Sequence, residues 1–102
     1  MPAVARAGVD SISTGHACSA TAGISVGGSS SKVFVNGARA TVTGTAISPH
    51  AIKSGRKCVP HSSNVNAGSS KVFCEGKPIS RVGDSADAGA VKAGSSNVFA
   101  GG

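Results

Sequence analysis

Six residues of this chain carry side chains suited to metal or thiol chemistry: His16, Cys18, His50, Cys58, His61 and Cys74. They fall in three places. One is Thr14-Gly15-His16-Ala17-Cys18, the second is Ser48-Pro49-His50 followed by Cys58-Val59-Pro60-His61, and Cys74 stands alone. Three cysteines is an odd number, so a complete disulfide framework is excluded. Imidazoles joined by a thiolate suit a closed structural site for a borderline-soft ion such as zinc. The rival chemistry is a thiol nucleophile, Cys58, activated by His61. It is disfavoured because the only acids are Asp10, Glu75, Asp84 and Asp87, no helix is in sight to lower the thiol pKa, and 102 residues leave little room for a deep pocket. The residue types point to one structural metal ion and away from an enzyme.

The elements that must position these residues are set by a phrase that occurs three times, Val-Phe-x-x-Gly. It reads Val33-Phe34-Val35-Asn36-Gly37, then Val72-Phe73-Cys74-Glu75-Gly76, then Val98-Phe99-Ala100-Gly101-Gly102, each preceded by glycine and a run of serines. All three phenylalanines of the chain lie in this phrase. The first copy predicts a strand over 32–35, a two-residue turn at Asn36-Gly37 and a return over 38–42. The second copy predicts a strand over 72–74, a turn at Glu75-Gly76 and a return over 77–82, with Pro78 at an edge or at the start of its strand.

The third copy has no return after its turn. Pro2-Ala3-Val4-Ala5-Arg6-Ala7-Gly8-Val9-Asp10 reads like Pro78-Ile79-Ser80-Arg81-Val82-Gly83-Asp84 with small insertions. The N-terminal strand is therefore expected to pair with the C-terminal one and complete a third hairpin. The expected fold is an all-β, pseudo-threefold body, a small cone of three hairpin repeats with long loops, spanning residues 1–102 as a single domain.

Charge narrows the function classes. The net charge is +6, but the ten Lys and Arg are scattered, and only Arg56 and Lys57 are adjacent. No aromatic residues interleave with them to stack on bases, so nucleic-acid binding is disfavoured. A small basic nucleic-acid-binding or zinc-binding module stands as the alternative reading. No segment has the apolar length of a membrane span or the pattern of a signal peptide.

Taken together, Pro-Ala-Val-Ala-Arg at the start, Pro78-Ile79-Ser80-Arg81-Val82-Gly83-Asp84 and the repeated Gly-Ser-Ser-x-Val-Phe-x-x-Gly resemble the Pro-Ala-Ala-Arg (PAAR) repeat family. The resemblance covers essentially the whole chain. It departs from the family pattern in the extra residue of the first motif and in Gly37-Ala38-Arg39-Ala40, which lacks the proline. It implies a structural tip protein that caps and sharpens the trimeric β-helical spike, VgrG-type or phage central spike, of a contractile injection machine. The partners implied are one such trimer per monomer and, transiently, a target membrane, with no nucleic acid and no small-molecule substrate. The place implied is a phage tail baseplate tip, or the cytoplasm followed by export with a type VI secretion spike.

A trimeric β-helix ends in three strand edges with unpaired backbone groups, and a single chain can match them only if it holds three equivalent units. Strand addition, with apolar packing at the joint, is the expected contact. The joint residues are sought among Val33, Phe34, Val72, Phe73, Val98 and Phe99, although most repeat valines and phenylalanines are expected in the body's own core. Family resemblance also implies zinc held near the tip by three histidines and one cysteine. His16, His50 and His61 fit the three. The family's cysteine is expected after the last Gly-Asp, and Asp84-Ser85-Ala86-Asp87-Ala88-Gly89 contains none. Cys58, in the right loop and three residues from His61, is favoured for the fourth ligand. Cys74, beside a turn at the opposite end, stays open, and Cys18 ranks last.

Overall fold

The computed structural model describes residues 2–15, 18 and 20–101, with the backbone alone at 53 and 54. It is all-β, and no helix occurs among the described residues. The strands are β1 (Ser11–Ser13), β2 (Thr21–Gly23), β3 (Phe34–Val35), β4 (Ala38–Arg39), β5 (Ala46–Ser54), β6 (Lys57–Asn64), β7 (Phe73–Cys74), β8 (Lys77–Pro78), β9 (Ser85–Ala86) and β10 (Gly89–Val91). The molecule measures 41 × 23 × 22 Å along its principal axes.

Two short hairpins, β3–β4 and β7–β8, carry the first two copies of the repeated phrase. Their turns place Asn36 and Gly37 at φ 53° and 81°, and Glu75 and Gly76 at 55° and 81°. Two consecutive positive φ values make each a type I′ turn, whose twist matches the flanking strands. Pro78 pairs with Phe73, while the next amide along, Ile79, donates to the Val72 carbonyl at 3.0 Å. Phe73–Pro78 is thus a non-hydrogen-bonded pair, and the missing N–H of proline breaks no ladder bond. The third copy pairs with the N-terminus. Ala3 bridges Phe99, the Val4 amide donates to the Val98 carbonyl at 2.9 Å, and the Ala100 amide donates to Pro2 at 3.1 Å.

The return strands are shorter than the apolar pattern predicts, because beyond two residues each one leaves its hairpin and pairs with the neighbouring unit. Arg6 bridges Ala40, Val42 bridges Ile79, and Val4 bridges Arg81. At the centre the three units close a triangle of backbone hydrogen bonds. The Ala5 amide donates to Ser80 (2.9 Å), the Ser80 amide to Thr41 (2.8 Å) and the Thr41 amide to Ala5 (3.2 Å). All three residues are fully buried, so each amide must find a protein partner, and each finds one in the next unit.

The serine runs are equally regular. Ser30, Ser69 and Ser95 are buried, and their hydroxyls accept from the amides of Val33, Val72 and Val98 at 3.0, 2.9 and 3.0 Å. Their own amides donate to Ala40, Ile79 and Val4. A serine three residues before the valine thus fixes the entry into each strand.

Two apolar clusters lie along the body. Val4, Val35, Ala40, Val42, Cys74, Ile79 and Ala100 form the one among the short hairpins. Ile12, Ile24, Ile47, Val65, Ala86 and Val91 anchor the other, where a four-stranded sheet of order β2-β1-β10-β9 meets the start of the long β5–β6 hairpin. Bridges Ile24–Ile47 and Val65–Ala86 dock that hairpin's base on the sheet. The stretch with Ser48-Pro49-His50 and Cys58-Val59-Pro60-His61, expected as a loop, is instead part of an antiparallel ribbon, β5–β6, with a register shift between Ile47 and His50. Pro49, Gly55 and Pro60 mask its strand character in the sequence.

A candidate metal centre

His50 on β5 and His61 on β6 are direct cross-strand partners. Facing positions on a ribbon share one side, and the two rings meet edge to face with centroids 5.1 Å apart. The third member is Asp87, in the turn between β9 and β10. Asp87 Oδ2 lies 2.6 Å from His50 Nε2, and Oδ1 lies 3.3 Å from His61 Nε2. One donor atom from each of the three lies within 4.8 Å of the others.

The turn that presents Asp87 is shaped for the purpose. Asp87 has φ 55°, a left-handed conformation that aspartate tolerates better than most residues. Its carbonyl accepts from Asn66 Nδ2 at 3.1 Å, and Ala86 pairs with Gly89 across the turn. Gly89 has no alternative, since a Cβ there would lie 1.9 Å from the Ser13 carbonyl oxygen. The absence of that atom lets β10 run against β1 and sets the turn over the β5–β6 ribbon.

Burial and hydrogen bonding define what the group can hold. The side chains of His50 and Asp87 are 3% and 7% exposed, and that of His61 is 29% exposed. His50 Nδ1 lies 2.9 Å from the Ser48 carbonyl, which can only accept, so Nδ1 carries the proton. In a neutral imidazole Nε2 is then a bare lone pair, and it faces a carboxylate. The 2.6 Å contact of His50 Nε2 with Asp87 Oδ2 is a hydrogen-bond distance, so an ion held by both would replace that bond and set the two atoms further apart. The donor set of two imidazoles and a carboxylate fits zinc and related first-row divalent ions, and a backbone carbonyl on the far nitrogen is the usual way such a histidine is oriented.

The family model described as the PAAR motif matches residues 14–92. The chain belongs to the PAAR-motif family. PAAR proteins are a structural family of spike-tip proteins of contractile injection systems, not known as enzymes, and associated with phage tails or the VgrG-type spikes of type VI secretion. Members bind a metal, and the His50–His61–Asp87 group is where this chain could hold one. No curated protein matches the chain.

Of the ligands expected from the sequence, the structure brings His50 and His61 together and adds Asp87. His16 lies outside the described residues. Cys58 requires a correction. Its sulfur is bonded to that of Cys18, with the Cα atoms 6.0 Å apart, so it is no thiolate. The reason lies in the strand period. Cys58 and His61 are three apart on β6, and residues an odd number apart on a strand face opposite sides. Val59, His61 and Ser63 are half-buried on one face, while Cys58, Pro60, Ser62 and Asn64 are exposed on the other. A Cys-x-x-His clamp works in a loop and fails on a strand. Cys74 is buried in the apolar cluster of the short hairpins, where burial and the neighbouring Glu75 charge push its thiol pKa up.

Asp87 was legible in part. It sits in the stretch after Gly83-Asp84 where the family resemblance calls for cysteine, and carboxylate is itself a zinc ligand type. The phenylalanines also depart from expectation. Phe34, Phe73 and Phe99 are 57%, 54% and 49% exposed, and Val33 and Val72 are each 37% exposed, whereas Val98 packs partly on the core. Val35 lies in the core as expected, and the matching inward positions of the other two copies are Cys74 and Ala100, one residue beyond each phenylalanine.

Proposed function

We propose that this protein caps the trimeric β-helical spike of a contractile injection machine as one monomer per trimer, and serves as its piercing point rather than as an enzyme. The observation that carries this reading is the exposure of Phe34, Phe73 and Phe99 at the same place in three linked units. Large aromatic side chains left half in water at three related positions are costly unless a partner covers them. The partner that fits has three equivalent edges. Val33, Val72 and Val98 each precede a phenylalanine, the first two 37% exposed and Val98 partly packed on the core, and the adjoining strand edges offer backbone groups for strand addition.

In this reading His50, His61 and Asp87, with His16 as the further donor, hold one structural zinc ion at the other end. The ion ties the β5–β6 ribbon to the β9–β10 turn. Metal binding there becomes folding free energy and stiffens the end that meets a target membrane. Neither Cys58 nor Cys74 is a ligand in this assignment.

The deciding experiment mixes the purified protein with a candidate spike trimer and measures the mass of the complex and its zinc content. The expected result is one monomer per trimer with one zinc. Two or three monomers per trimer would refute the capping geometry, and protein that purifies without zinc and melts at the same temperature with or without added zinc would refute the structural ion.

A further inference from the structure

The Cys18–Cys58 disulfide is the one covalent cross-link among the described residues, and the family reading does not use it. Cys18 lies in the loop between β1 and β2, whose neck is closed by the Thr14 amide donating to the Ala20 carbonyl at 3.0 Å. Cys58 is the second residue of β6, opposite Lys53 and close to the ribbon's turn, well beyond the Ile24–Ile47 and Val65–Ala86 bridges that dock the ribbon's base. The disulfide therefore fastens the outer half of the ribbon to a loop of the four-stranded sheet. It does so on the exposed face, with His50 and His61 on the other. A sulfur on an exposed strand face is open to attack by thiols.

We propose that Cys18–Cys58 is a thiol–disulfide exchange site, and that its redox state sets how tightly the His50–His61–Asp87 group holds a divalent ion. This rests on reading that group as a metal site. The substrate class is small thiols and disulfides of the glutathione type. A thiolate RS⁻ attacks the exposed Cys58 sulfur, the Cys18–Cys58 bond breaks, and Cys18 leaves as a thiolate that takes a proton. A second thiolate then attacks the external sulfur of the mixed disulfide, releasing RSSR and leaving Cys58 as a thiol. Two electrons and two protons pass from two RSH to the protein, and a disulfide oxidant reverses the sequence.

The consequence for the metal follows from which elements carry the ligands. His50 and His61 ride on the ribbon, whereas Asp87 belongs to the sheet that also carries the Cys18 loop. His16 is two residues from Cys18 in the sequence. With the latch closed, ribbon and loop are held in one arrangement before metal arrives, so little ordering remains for binding to oppose. With the latch open, that ordering must accompany binding, and affinity falls.

The test compares the oxidised protein, the protein reduced with a phosphine (a dithiol would itself chelate zinc) and the Cys18→Ser/Cys58→Ser double variant. Zinc affinity is measured by chelator competition, and amide hydrogen exchange over residues 46–64 is measured in metal-free protein. Cobalt(II) spectra report the ligands. The expectation is weakening by at least about tenfold in the reduced and doubly substituted forms, faster exchange in both, and no sulfur-to-cobalt charge-transfer band in any form. Equal affinity in all three forms would overturn the coupling to the metal. Tighter binding on reduction, with a charge-transfer band, would overturn it too, because the thiols would then be ligands. Zinc binding in no form would refute the metal reading itself, and unchanged exchange on reduction would independently refute the latch.

Discussion

Glu75 Oε1 accepts a hydrogen bond from Ser30 Oγ at 2.7 Å, although the two residues belong to different hairpin units. The same oxygen accepts from the amides of Ser31 (2.9 Å) and Lys32 (3.2 Å). Its counterparts follow the same rule. Asn36 Oδ1 accepts from Ser95 Oγ, and the Gly101 carbonyl accepts from Ser69 Oγ. Each turn thus caps the serine run of another unit, and the three caps close a ring. The Glu75 carboxyl is held below its ordinary value of 4.5, chiefly by the Ser30 hydroxyl, with the two amides and the Lys32 charge adding to it.

A carboxyl with a lowered folded-state pKa contributes stability that is complete above its unfolded value and is lost as pH falls through the folded value. Glu75→Gln keeps an acceptor oxygen and removes the charge. We expect it to unfold at a lower temperature than wild type at neutral pH, and the gap to close as pH falls below 4.5. Thermal melts at a series of pH values test this. A gap that is constant down to the acid transition would mean that the charge contributes nothing.

The central triangle contains one defect. Thr41 Oγ1 is buried without a hydrogen-bond partner, whereas at the related position Ser80 Oγ donates to the Ala67 carbonyl at 2.9 Å and Ala5 has no hydroxyl to place. An unpaired buried hydroxyl costs roughly 1–3 kcal/mol. Valine has nearly the same shape as threonine without the polar atom. Thr41→Val is therefore expected to stabilise the protein by about 1 kcal/mol in denaturant unfolding, and a loss of that size would show that the hydroxyl is satisfied in solution.

What the sequence disclosed followed from local chemistry, and what it hid followed from pairing. Asn36-Gly37 and Glu75-Gly76 announce their turns because few residues accept two positive φ values in succession. The match of 2–10 with 78–84 announced the pairing of the two ends, seen as Ala3 against Phe99. The β5–β6 ribbon was hidden because its apolar residues are few and its two prolines imitate a loop. That single misreading put Cys58 and His61 on one side when the strand period puts them on two. It also concealed how Asp87, 26 residues beyond His61, arrives from a turn of another sheet. The interior of the repeat was expected to hold Val35, which is buried, but the phenylalanines expected beside it are exposed, and Cys74 and Ala100 take the matching inward positions in the other two copies. Phenylalanine has the larger apolar surface, but the small Cys74 and Ala100 fit the narrow space near the threefold centre.

Three substitutions separate the roles in the candidate metal centre. His50→Ala removes a buried donor and should abolish stoichiometric zinc together with the fall in melting temperature that chelators cause in wild type. Asp87→Asn keeps the shape but loses the charge that balances the ion, and metal affinity should drop by about 10- to 100-fold, in line with loss of an anionic ligand or its orientation. Asp87→Cys replaces one anionic zinc ligand type by another and should retain one zinc per chain with a sulfur-to-cobalt band on cobalt substitution. Wild-type melting that is indifferent to chelators would show instead that His50, His61 and Asp87 are a self-contained hydrogen-bonded cluster.

The exposed phenylalanines offer the sharpest contrast between stability and binding. Because Phe34, Phe73 and Phe99 are each about half in water already, replacing any one by serine removes little packing from the body. Each change should cost less than about 1 kcal/mol of folding stability. At a docked interface the same side chain becomes a buried aromatic anchor, and truncating such an anchor typically costs 2 kcal/mol or more, about 30-fold in Kd. Val9→Ser serves as the control, since Val9 is 58% exposed and lies outside the repeated phrase. Titration of each variant against a spike trimer should show losses of similar size for the three phenylalanines and none for Val9. The similarity matters as much as the loss, because three equal contacts are what a threefold partner requires. A loss confined to one phenylalanine would indicate an asymmetric partner, and large losses of folding stability in all three would return them to the core.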